Sequence, residues 1–396
     1  MFHRFILRSP FLRLSTLTVT CLGASLGYSS ALQANQGSTP QAKPSFNYDA
    51  YTRSVEQVQL QEMQALIQES KALNTLASAA CHAEAQVNHE PLSQWPALPS
   101  LQKKWLDTTE QWQRLQVFPL GPNNDVTVRL NINFWPDKKN LVERKARGLL
   151  QQGDSAELKQ GGIALQGLTA SEYLLFDPKH LKTSTPAATC HLLTQITHQS
   201  EENTRALLTR WQKSGFLVDW HDAALGNETF ASTTQATGYL LSSLAEMLES
   251  IAKNKIYKPF RLNDEKALPN SYLAENWRSN QSLQNLATNF DQISHYYLGL
   301  TVPQPSEKKT VTVNGPDQLL RHLGFAEEAD AIVAQLDNSQ QTLNQLVVLG
   351  SSAYLSQEGK ALAGQLHQNI KQLEQALRKP LPHFNLTQRF NSADGD

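Results

Sequence analysis

Apolar side chains recur at helical spacing over most of this chain. Between Tyr48 and Cys81, Val55, Val58, Met63, Leu66, Leu73, Leu76 and Ala80 follow one another with no intervening Gly or Pro, which predicts one long helix with a buried stripe. A second helix is predicted from Leu98 to Val117, where Trp105 and Trp112 stand seven residues apart on one stripe and read as core. The run FPLGPNN (118–124) ends it. Residues 125–136 read as extended or irregular, and Asp137 as the cap of a helix reaching Leu150. Further helices are predicted over Gly161–Phe176 and Cys190–Lys213, the latter with Leu193, Ile196, Leu207, Leu208 and Trp211 turned inward.

Gly215, Gly226 and Asn227 lie among polar residues and mark a connection. Beyond it the pattern predicts helices over Thr234–Lys255 and Tyr272–Tyr297, a Pro-containing linker over Thr301–Gly315, and several helices from Pro316 to Arg378. The last of these carries Leu362, Leu366, Ile370, Leu373 and Leu377. KTVTVN (309–314) is the clearest strand alternation, and it is short. The fold expected is all-α, two antiparallel helical bundles over residues 48–215 and 233–396 joined by a linker at 216–232.

A chain of 396 residues with 40% apolar and 18% charged side chains is long enough for two such units. Its first 34 residues depart from that profile. Arg4, Arg8 and Arg13 precede a mostly apolar stretch, and Ser29-Ser30-Ala31 suits a signal peptidase, with a cut after Ala34 as the alternative, so an export signal over 1–34 and a polar tether over 35–47 are expected. Thr18-Val19-Thr20 ahead of Cys21 lacks the pattern that a lipoprotein peptidase prefers, which disfavours a lipid anchor. No later segment offers the ~20 apolar residues of a membrane span. The expected location is therefore the periplasm or cell envelope. The signal holds three Arg and no acid, so its removal leaves 32 basic against 36 acidic residues, an excess of acid that argues against nucleic acid as a partner. In an oxidising compartment Cys81 and Cys190, the two cysteines left, are expected to form a disulfide, the alternative being two separate buried thiols.

The chemical clue is Glu172 in GGIALQGLTASEYLLFD (161–177). Read as a helix, Leu165 and Leu168 lie seven and four residues before it and Leu175 and Phe176 three and four after, so the carboxylate shares a face with core residues. A carboxylate held there must find a cation, a metal or hydrogen-bond donors, or keep its proton. Arg278 is the expected counter-charge, because a guanidinium fork both neutralises and orients a buried acid. Such a pair is either a working site or purely architectural. His198 and Glu201 have helical spacing for a chelate, but His191, Gln195, His198, Glu202 and Arg205 share the polar side of that helix, which favours a solvated face. Asp394-Gly395-Asp396 offers carboxylates to a divalent cation, although most such tails are simply mobile. No Gly-rich phosphate loop precedes a helix, no Ser-His-Asp or Cys-His grouping is assigned by spacing, and no His-Glu-x-x-His occurs.

Five segments, WQRLQVFPLGP (112–122), NFWPDKKNLVER (133–144), ALQGLTASEYLLFD (164–177), AENWRSNQSLQNL (274–286) and FNSADGD (390–396), together resemble the imelysin-like proteins, bacterial envelope proteins also classed as a metallopeptidase family. The resemblance implies two bundles related by an internal duplication and a link to the acquisition of iron or another metal. Many members carry Gly-x-His-x-x-Glu. Gly167 and Glu172 match its ends, but Thr169 stands where the histidine would be, which places the chain nearer the branch lacking that ligand. The expectation is a binding protein with a polar cleft lined by Glu172, Arg278, Trp135, Asp137 and Arg129, with Gly167 and Ser279 beside them and Trp277 on the same wall. Its ligand would be a metal ion or metal complex, a divalent or iron ion included, and its partners envelope transport proteins. A metal-dependent peptidase and an envelope scaffold that binds a protein are the alternatives.

Overall fold

A computed structural model describes residues 46–84, 90–118, 121–304 and 309–384. The expected export signal, Cys21, most of the tether and the terminal acidic residues lie outside them. The helices are α1 (Tyr48–Glu84), α2 (Leu98–Leu115), α3 (Val126–Ile132), α4 (Leu141–Leu150), α5 (Leu168–Phe176), α6 (Pro178–Thr183), α7 (Pro186–Lys213), α8 (Phe216–His221) and α9 (Thr233–Ser250). A π-helical turn, Ile251–Tyr257, extends α9, and α10 (Ser282–Leu298) follows. The strands β1 (Gly299–Gln304) and β2 (Lys309–Asn314) form an antiparallel hairpin in which Leu300 faces Val313 and Val302 faces Val311. Helices α11 (Pro316–His322), α12 (Ala326–Leu349) and α13 (Gln357–Arg378) complete the all-α fold.

Local chemistry sets the helix starts. Thr185 accepts from the Ala188 amide with Pro186 in the first turn, Ser232 accepts from Gln235 and Ser356 from Gly359, so each cap satisfies an amide that the helix itself cannot. The long helices α1 and α7 pack along one another and on α2 and α5, with Trp105, Leu66, Leu73, Leu193 and Ile196 between them at 1% exposure or less. In the second half α13 lies against α9 and α12. The halves also meet: α10 packs on α2, α1 reaches α9, and Tyr51 on α1 donates from its hydroxyl to the Tyr296 carbonyl on α10 at 2.7 Å. The described residues form one compact unit.

Several predicted boundaries move, each for a local reason. Residues 126–132 are helical rather than irregular because the Asp125 carboxylate accepts from the Thr127 and Val128 amides. The stretch 161–176 is not one helix. A 3₁₀ segment over Leu158–Leu165 is broken at Gly162, and α5 begins only at Leu168, so Leu165 is buried but does not share a helical face with Glu172. Residues 274–281 are irregular, and α10 starts at Ser282 instead of Tyr272, because Asn276 and Asn280 adopt left-handed backbone (φ 51° and 59°). The stretch read as a linker over 301–315 contains most of the hairpin, with KTVTVN as its second strand.

Cys81, near the end of α1, is bonded to Cys190, near the start of α7, with Cα atoms 5.4 Å apart. The bond ties the two helices together in antiparallel packing, and Asn74 donates to Glu201 across the same seam at 2.9 Å. The cross-link spans 109 residues of sequence, and closing a loop of that size in the unfolded chain is worth about 4–5 kcal/mol in the chain-entropy account. Chemical unfolding of Cys81→Ser/Cys190→Ser is expected to show a loss of that order, and an unchanged unfolding midpoint would show that the bond adds no stability.

Candidate functional site

The site is built where α5, the entry to α4 and the irregular segment 274–281 meet. Gly167 caps α5 with the last turn of α3 directly against it: a Cβ at this position would lie 2.2 Å from the Ile132 carbonyl oxygen and 2.6 Å from that of Asn131. Only glycine allows that approach. It fixes α5 so that every residue from Leu168 to Leu175 is buried, and Glu172 among them has no exposed surface.

The partners of Glu172 all come from segment 274–281. Its Oε1 accepts from the Ser279 amide at 2.9 Å and the Ser279 hydroxyl at 2.8 Å, and its Oε2 accepts from the Asn276 side chain at 3.2 Å. Burial pushes its pKa up from the ordinary carboxylate value, opposed by the two Ser279 bonds, the Arg278 charge and Asn276. The expected direct pairing with Arg278 is not what holds it. The Arg278 guanidinium donates to Asp177 at 3.3 Å and to Asn140 at 3.1 Å, and stacks over Trp277 at 4.4 Å. Asp177 also caps α6 through the Lys179 and His180 amides. Arg278 is thus a pin that fastens segment 274–281 to α4 and α6.

Thr169, at the position where the histidine of the motif would stand, donates to Asn133 at 2.7 Å, and Asn133 in turn donates to Glu275 Oε1 at 2.7 Å. Glu275 Oε2 lies 2.7 Å from Lys255 Nζ, a pair 3% and 6% exposed by side chain. Lys255 donates further to Gln113 at 3.0 Å and Asn289 at 2.7 Å. Burial lowers the Lys255 pKa, against the pull of Glu275. A continuous chain of buried polar groups therefore runs from Thr169 to Asn289.

Two adjoining clefts lie over this network. The smaller, about 410 Å³, has Trp135, Asp137, Thr169, Trp277 and Arg278 in its lining, and the covered Glu172 lies beneath its floor. The larger, about 600 Å³, is lined by Arg129, Asn133, Trp135, Asp137, Lys255 and Glu275 with apolar walls that include Trp112 and Met247. Trp135 to Lys139, beginning with the cis Trp135–Pro136 peptide, borders both. Asp137 is occupied as a cap, accepting from the Leu141 amide at 2.7 Å and the Val142 amide at 3.0 Å. The predicted residues are therefore divided: Glu172 and Arg278 belong to the smaller cleft, Arg129 to the larger, and Trp135 and Asp137 to both. Ser279 and Gly167 support the site from behind. Glu275, Lys255, Asn276 and Asn133 were not singled out from the sequence. Only Asn133, Glu275 and Asn276 carried a signal, as polar residues inside the quoted NFWPD and AENWRS segments.

Among the described residues no three His, Cys, Asp or Glu side chains are grouped as a metal-ligand set. His198 is exposed, while Glu201 is buried and bonded to Asn74 and Arg205, so the two do not act as a chelate. No described helix is long and apolar enough to cross a membrane.

An all-α protein with a buried acid beneath a polar cleft, carrying Gly-x-Thr-x-x-Glu at the start of a buried helix, is the class that these observations define. The family profile of imelysin, a group also named peptidase M75, matches residues 48–395, and the chain belongs to that family. Among solved structures it is similar to an imelysin-like protein from Psychrobacter arcticum 273-4, at 16% identity and TM-score 0.64, with 87% of this chain and 99% of that one covered. It is also similar to an iron-regulated protein A precursor from Parabacteroides distasonis ATCC 8503, at 17% identity and TM-score 0.66, covering 87% and 97%. At those identities the likeness establishes the fold. A search of curated proteins finds no match.

Because the Glu172 pKa is raised in the folded protein, its proton is bound more tightly in the native than in the unfolded state. Native stability from this group is fully present below the ordinary carboxylate pKa of 4.5 and declines as pH rises through the raised folded value. The difference in unfolding free energy between the protein and Glu172→Gln should therefore shrink between pH 4 and pH 7; a difference that widens would mean that the carboxylate is net stabilised as an anion. Gly167→Ala is expected to cost at least about 2 kcal/mol in the same assay, since the α5–α3 contact has to open.

Proposed function

We propose that the protein is a non-enzymatic binding protein of the periplasm or cell envelope, an accessory in the acquisition of iron or another metal, with its ligand held in the paired clefts around Trp135–Lys139. The observation that carries this reading is the saturation of Glu172. Both carboxylate oxygens are committed to Ser279 and Asn276, and the hydroxyl that replaces the imidazole is committed to Asn133. A bare ion would have to displace those bonds in a site with no surface exposed. A metal complex that brings its own ligands needs only the cleft. Family membership and the iron-regulated name of one structural neighbour support the metal connection.

The same observation weighs against the peptidase reading, because a zinc hydrolase needs about three protein ligands and an open position for water. The scaffold reading draws support from Tyr272 and Leu273, which are 68% and 38% exposed at the edge of the smaller cleft.

Calorimetric titration of the purified protein separates these readings. Ferric citrate is expected to bind, whereas iron, zinc and copper salts alone bind no tighter than buffer competition allows, and Glu172→Gln leaves the ferric citrate affinity within about threefold. Tight stoichiometric binding of a bare ion that is lost in Glu172→Gln, or chelator-sensitive cleavage of an unfolded protein, would overturn the proposal.

A further inference from the structure

The larger cleft has an electrostatic character that a cation site would not have. Four cations line it, Arg129, Lys138, Lys139 and Lys255, against two acids, Asp137 and Glu275. Both acids are already engaged: Asp137 by two backbone amides, and Glu275 by Lys255 and Asn133. Lys255 is engaged in the same way. The Arg129 guanidinium is different. It is half-buried in the cleft wall, where desolvation lowers its pKa against the pull of Glu275, and among the described residues no side chain accepts a hydrogen bond from it or pairs with it. A guanidinium fork that opens on a cleft and meets no protein acceptor is available to a planar oxyanion.

Two further observations fall at the same place. Lys258 donates to Asn254 on the cleft wall and lies near Lys138, whose charge, after burial, helps to depress its pKa, so cations gather beside this cleft in a protein whose formal net charge is only -1. The wall that carries Asn254 and Lys255 is the π-helical turn, an irregularity of the kind that recurs at functional sites because it re-aims side chains that an α-helix would point elsewhere. A volume of about 600 Å³ is within the range of small-molecule sites, and Trp112, Trp135 and Met247 give it apolar walls.

We infer that the larger cleft is an anion site, in which Arg129 binds the carboxylate or phosphate head of an organic anion whose body lies against Trp112 and Trp135, with Lys138 and Lys139 drawing it in. This deepens the reading of a metal-complex binder, on which it rests for the choice of cleft, because chelators built on carboxylates arrive as anions. The binding chemistry itself needs no metal. A planar bidentate fork matches either oxyanion, and an aromatic wall beside it favours an organic one.

The test is calorimetric titration of the metal-free protein with citrate, pyrophosphate and indole-3-acetate, at two salt concentrations and in parallel with Arg129→Gln. At least one of the three is expected to bind in the micromolar range, to weaken by tenfold or more in Arg129→Gln, and to weaken with salt. Citrate or indole-3-acetate ahead of pyrophosphate assigns a carboxylate head, and the reverse order a phosphate. Silence of all three to 1 mM, or equal affinity in a variant whose helical circular dichroism and unfolding midpoint are unchanged, overturns the inference. If Arg129→Gln does not fold, Lys138→Ala/Lys139→Ala on the exposed rim is the second variant, and a wild-type affinity indifferent both to that change and to salt overturns it equally. Anion binding without any uptake of ferric citrate would uphold this site and defeat the metal reading; ferric citrate uptake with every free anion silent would do the opposite.

Discussion

The capture of one buried carboxylate by one irregular segment organises this protein. An acid inside a helix that is covered on every side cannot be satisfied by its own helix, whose interior amides are already bonded, and water cannot reach it. Donors have to come from a neighbouring stretch of backbone that is not itself helical. Segment 274–281 meets that condition. Asn276 and Asn280 take left-handed backbone, which turns the chain and frees the Ser279 amide to bond Glu172. The adjacent Glu275 engages other partners, Lys255 and Asn133. The segment thereby serves both clefts at once, with 276 and 279 beneath one and 275 in the wall of the other.

That arrangement gives the exchange at position 169 a physical meaning. Imidazole is a metal ligand, whereas a threonine hydroxyl has one proton to give and little affinity for zinc or iron. Here the proton goes to Asn133, whose amide passes the connection on to Glu275. Thr169 is the first link of a hydrogen-bonded chain between α5 and the floor of the larger cleft. Glu172 remains from the motif as a clasp, and Gly167 remains because the Ile132 carbonyl leaves no room for a side chain.

What the residues revealed in advance follows from which features are local. Periodicity located the long helices to within a few residues, the two cysteines their bond, KTVTVN its strand, and the apolar neighbourhood of Glu172 its burial. The reading failed where conformation is imposed from a distance. Nothing in Tyr272–Gln281 opposes a helix until α5 offers an acid to be capped. The π-helical turn has no sequence signature separate from the helix it extends. Lys255 and Glu275 meet only because the fold brings α9 onto the segment before α10. Arg278 was correctly expected to be buried and paired, but its partner is Asp177 rather than Glu172. Spacing could not distinguish two acids five residues apart, because the choice depends on which one faces the turn at Asn280.

The division of labour between the two clefts follows from their charges. Beneath the smaller one the polar groups are mutually satisfied, so it supplies rigidity: Arg278, held by Asp177, Asn140 and the face of Trp277, keeps segment 274–281 in a single geometry. That rigidity fixes Glu275, and Glu275 in turn pairs with Lys255, leaving Arg129 as a half-buried cation of the cleft wall with no protein partner among the described residues. Were Glu275 free to swing, it could pair with Arg129 and leave the cleft without an unpaired guanidinium. The clasp on Glu172 bears on the larger cleft through segment 274–281, which also carries Glu275, and a bare cation approaching that cleft would meet an excess of positive side chains in its lining.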